Sequence, residues 1–97
     1  MFGLNIFKMQ IESENDFNKL RQHIDAWHRK FPMFRHDVVK IENAVEEHIK
    51  QYSIAMVHYR QSHKRNHLEE ANTHIAEINR IVGMAEKMEL MAILSQS

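Results

Sequence analysis

The chain has 97 residues, 43% of them hydrophobic and 27% charged, so the expectation is a single helical domain over 1–97 with one modest core. With its eight histidines neutral the formal net charge is zero, and no overall field draws it to nucleic acid or an anionic membrane. The absence of cysteine excludes disulfides, thiolate metal sites and a cysteine nucleophile, and makes a cytoplasmic location the expected one.

Residues 1–12 open on Phe2, Leu4 and Ile6, then Phe7, Met9 and Ile11, two alternating sets offset by one residue. Period two belongs to a strand, yet no second strand is visible. Three readings stay open: a strand needing an edge on another chain, a short helix, or an apolar arm tucked against a bundle. The segment has neither a basic n-region nor a small-residue cleavage site, and no stretch approaches the roughly 18 apolar residues of a membrane-spanning helix.

Ser13 and Asp16 have capping-box spacing, with Asp in place of Glu, and Glu14 and Asp16 suit the positive end of a helix dipole. Phe17, Leu20, Ile24, Trp27 and Phe31 then recur at steps of three and four, one face of a helix over 14–31. Pro32 ends it by pushing the preceding residue out of the α region.

Phe34, Val38, Ile41, Val45, His48, Tyr52, Ala55 and Tyr59 keep strict four-three spacing, a coiled-coil seam on a helix over 35–62. At 1.5 Å per residue that helix is roughly 40 Å long. The polar run 61–66 marks a turn, although it contains neither glycine nor proline, because the seam restarts at Leu68, Ala71, Ile75, Ile78, Val82 and Ala85. Past Gly83 apolar residues surround the helix, so its end is expected to be buried on more than one side. The architecture is therefore all-α: a small bundle on an antiparallel hairpin, 35–62 and 67–95, with the shorter helix packed on it. The hairpin should overshoot that helix by several turns.

No glycine-rich phosphate loop, nucleophile elbow or paired-carboxylate constellation is present, so the chain reads as non-enzymatic and without cofactors. The candidate interface is the apolar end of the third helix: Met84, Met88, Leu90, Met91 and Leu94. Methionine-rich surfaces adapt to more than one partner shape. A self-associating protein, a dimer presenting a helical surface to a protein partner, is the principal reading. The alternative is a nucleic-acid-associated or regulatory binder that uses a basic hairpin tip of Tyr59, Arg60, Lys64 and Arg65, a local charge of +3 over 58–66. No nucleic-acid-binding motif accompanies those cations.

A metal- or pH-responsive bundle is the third reading, since eight histidines are many for this length. His63 and His67 would share a face if the helix ran through them, and His67, Glu70 and His74 follow at i, i+3 and i+7. The Glu-x-x-His motif of di-iron bundles does not occur. His48 falls on the second helix's seam between Val45 and Tyr52, where a polar residue commonly fixes register.

Overall fold

The computed structural model describes residues 9–95, and among them it has three α-helices and no strand. They are α1 (Phe17–Lys30), α2 (Arg35–Ser62) and α3 (Arg65–Ser95).

The start of the helical region forms as the sequence implies. Ser13 is extended, its hydroxyl accepts the Asn15 amide, and the Asp16 carboxylate accepts the Ser13 amide, a reciprocal capping box. One difference is that Glu14–Asp16 is a 3₁₀ turn, which tightens the entry before α1 begins at Phe17. The exit is set by Pro32. Phe31 leaves the helix at φ −128° and ψ 63°, and Pro32–Phe34 makes a second 3₁₀ turn into α2.

The hairpin turn is tighter than the polar run suggests, occupying only His63 and Lys64. His63 takes the left-handed conformation, φ 55° and ψ 22°, and its amide donates to the Tyr59 carbonyl at 2.7 Å. This cap usually belongs to glycine, and here a histidine supplies it. The Ser62 hydroxyl donates to the His58 carbonyl and accepts the Lys64 amide, which satisfies two more groups at the break.

α2 and α3 make the principal packing contact, along the seam read from the sequence. Val38, Val45, Ala55, Ala71, Ile78 and Val82 are all at most 1% exposed along it. α1 runs antiparallel to α2 and covers one flank with Phe17, Leu20, Ile24 and Trp27. The Phe17 ring meets Tyr52 edge-on at 5.4 Å, so α2 runs on ten residues past the start of α1, roughly 15 Å. The chain is accordingly elongated, with a radius of gyration of 15.4 Å, against about 12.5 Å for a compact domain of this length.

Residues 9–12 form neither strand nor helix. The arm reading holds for them, while the part of that segment at 1–8 lies outside the described residues. Ile11 is buried, its amide donates to Asn79 Oδ1 and its carbonyl accepts from Asn79 Nδ2, both at 2.8 Å. One carboxamide thus serves as the edge that an extended segment needs. Met9 adds a bond from its amide to Glu86 Oε2 at 2.8 Å.

Replacing Asn79 by leucine should therefore cost about 1–3 kcal/mol, because both backbone groups of buried Ile11 lose their partner. Chemical denaturation of the parent and the variant checks this, and equal midpoints would contradict it.

Candidate functional site

An α-helix turns 100° per residue, so the positions facing α1 and those facing away can be sorted on each long helix. On the α1 flank of α2 lie Glu42, Glu46 and Arg60. Glu46 holds Arg21 through two bonds at 2.8 and 3.0 Å, Glu42 meets His28 at 3.3 Å, and Arg60 meets Glu14 at 3.6 Å. Asn79 and Glu86 hold the arm on the same flank of α3. The opposite flank carries Lys40, Ala44 and His48 on α2 and Arg80, Met84 and Met88 on α3.

No element among the described residues covers that second flank. It forms a groove made of two adjoining depressions of about 470 and 480 Å³. Met84 and Met88 are shared between them, Ile41 and Ala44 form the α2 wall of one, and Phe34 and Met91 line the other. Met84 is 59% and Met91 70% exposed. Asp37, Lys40, Arg80 and Lys87 set charges of both signs around the rim.

The structure divides the apolar end of α3. Met84, Met88 and Met91 line the groove, whereas half-buried Leu90 and exposed Leu94 do not. The expected burial on more than one side is only partly met. Ala85, Glu89 and Ala92 are buried and Met88 is half-buried against the core, while Met84 and Met91 face outward.

The basic tip is exposed, but its charge is partly matched. Arg60 reaches Glu14, and Arg65 pairs with Glu69 at 3.4 Å one turn along α3. Lys64 is exposed, and Tyr59 is half-buried with its ring 6.2 Å from that of His63. The proposed His63–His67 face does not form, because the left-handed cap at His63 breaks the helix between them. His67 instead sets its ring edge-on to His58 at 5.3 Å, and Glu70 is exposed. Among the described residues no three histidine or carboxylate side chains converge as a metal cage.

His74 does acquire a partner, one the sequence reading missed. Its Nδ1 lies 3.0 Å from Nδ1 of His48, joining α3 to α2 beside the groove. His48 is half-buried at the edge of the seam rather than enclosed in it. Glu77, one turn after His74, is held below the ordinary carboxylate range first by its hydrogen bonds to Arg80, with the positive charge of Arg80 reinforcing this. The polar seam position of His48 was the available signal. Its partner, 26 residues away, depends on the hairpin register.

On the α1 flank a second polar group is enclosed. The His23 ring packs edge-on against Trp27 at 4.6 Å and lies near Glu89 and Glu86 of α3. Glu89 is 7% exposed, the one buried charged residue among those described. Burial, above all, holds the His23 imidazole below its ordinary pKa, Glu89 and Glu86 oppose the shift, and Lys30 adds to it.

In comparisons with known proteins, no family model, no curated protein and no solved structure matches the chain. Among the described residues no helix is long and apolar enough to cross a membrane.

His23 yields a pH prediction. Its folded pKa lies below its unfolded one, so the unfolded chain binds more protons between the two values. Its contribution to stability is full above about pH 6.5, falls as pH drops through that value, and stops changing below the folded pKa. A His23→Leu variant should thus lose less melting temperature than the parent between pH 7.5 and 5.5, a window set by about one unit either side of the unfolded value. Parallel curves would contradict the assignment.

Proposed function

We propose that the protein is a non-enzymatic, cytoplasmic helical interaction protein that self-associates as a dimer through the α2–α3 groove. One observation carries this reading: the seam has one flank closed by α1 and the arm, and an apolar, methionine-lined groove along the other. Exposed contiguous apolar surface of this kind marks association sites on globular proteins. The second copy is the favoured occupant because the rim carries Asp37 and Lys40 on one wall and Arg80 and Lys87 on the other. Two identical grooves meeting about a twofold axis bury their apolar walls against each other, and Asp37 of each copy can meet one of the other's three rim cations, as isologous contacts allow. In a dimer the other faces of α2 and α3 stay free to present a helical surface to a protein partner.

The test uses the exposed methionines, since their replacement leaves the core intact. Each buried methionine contributes about 1.5–3 kcal/mol, so a Met84→Glu, Met91→Glu variant should weaken association by at least about ten-fold. Its helicity should be retained. A variant with Arg60, Lys64 and Arg65 all changed to serine should associate as the parent does. Parent-like association of the methionine variant, measured by light scattering over a dilution series, would contradict the reading. So would loss of association in the tip variant.

A further inference from the structure

We propose that His48 and His74 form a binding site for zinc or a similar divalent transition metal that clips α2 to α3 beside the groove. The argument begins with the two nitrogens. Their Nδ1 atoms are 3.0 Å apart and the ring centroids 5.2 Å, so the rings meet nearly head-on. With one nitrogen protonated this is an N–H···N hydrogen bond. With both neutral imidazoles presenting a lone pair, two ligands of a metal ion stand side by side.

The dimensions suit tetrahedral zinc. Zinc–nitrogen bonds of about 2.05 Å at the tetrahedral angle place the two nitrogens about 3.4 Å apart and the ring centroids about 5.2 Å apart. The centroids already stand at that separation. Binding then needs each ring to tilt by about 35° and the nitrogens to part by about 0.4 Å, a change that the broad, soft χ2 torsion of histidine accommodates.

The surroundings agree. Both imidazoles are half-buried, and His48 lines the groove, so an ion has an entry path. Glu77 lies one turn after His74 on α3, and its hydrogen-bonded partner is Arg80, one turn further on. Release from Arg80, an exposed pair that contributes little, would bring an anionic oxygen toward the ion. The protein thus has two nitrogens in place, and water, joined by Glu77 once it leaves Arg80, fills the remaining positions. This is an open site, in contrast to the closed four-ligand cages of structural zinc. The site is distinct from the hairpin-tip pair His63 and His67, which the helix break separates.

The experiment titrates the tag-free full-length chain with zinc chloride and follows calorimetry, thermal unfolding and imidazole nitrogen resonances. The expected result is one zinc per chain, a raised melting temperature, and metal-type shifts confined to the Nδ1 signals of His48 and His74. Losing an outer-shell partner costs about 10–100-fold in metal affinity, so loss of either ligand in His48→Gln or His74→Gln should cost at least as much. A His63→Gln, His67→Gln variant should bind as the parent does. The proposal is overturned if zinc is not taken up, if uptake survives both single variants, or if the tip variant abolishes it. The resonance shifts decide the matter even where a variant fails to fold, because they are read on the parent chain. Shifts at other histidines in place of these two overturn it as well.

Discussion

The α2–α3 seam is the contact on which everything else in the molecule depends. Two helices of 28 and 31 residues lie antiparallel, while the helix that covers them has 14. Two helices alone bury only the stripe between them. The apolar positions on either side of that stripe need cover of their own, and the covering helix can occupy only one side. Phe17, Leu20, Ile24 and Trp27 close that side and bring α1 to nearly complete burial along one face. The groove on the other side follows from the same arithmetic of lengths and faces.

The polar contacts follow the division. On the covered side, Arg21 with Glu46, Glu14 with Arg60, and Asn79 with the Ile11 backbone tie three separate pieces of chain to the hairpin. The two ion pairs are exposed and contribute at most about 1 kcal/mol each, so they direct α1 more than they hold it. The Asn79 bonds weigh more, because Ile11 is 1% exposed and its backbone has no access to water. On the open side α2 and α3 are joined by the His48–His74 pair. A rim with one titratable link and several methionines is adaptable where the covered side is fixed, and that contrast suits a surface that receives another molecule.

Much of this was legible in the sequence, and for identifiable reasons. The four-three spacing of Phe34 to Tyr59 located α2 from 35 to 62 as observed, since a long, strictly periodic stripe admits one helical phase. The restart at Leu68 placed the turn without any glycine, and Pro32 and Ser13 marked the ends of the first helix. Contacts between side chains far apart in sequence were not legible. The Asn79–Ile11 pairing spans 68 residues, and the His48–His74 pairing depends on a turn of two residues whose length the polar run 61–66 left open. Periodicity makes the crowded end of α3 a single patch, because it cannot tell Leu90 from Met91 once most positions are apolar. Only the placement of α1 and the arm decides which of them faces the groove.

The central claim is that one flank of the seam is closed within the chain and the other by a second copy. Sedimentation equilibrium of the unaltered protein over a wide concentration range tests it most directly. A single chain is 11.6 kDa, and the account predicts a reversible rise to twice that mass with no larger species, since an isologous pairing closes on itself. A mass of 11.6 kDa at every concentration would contradict it, as would growth beyond the dimer without limit.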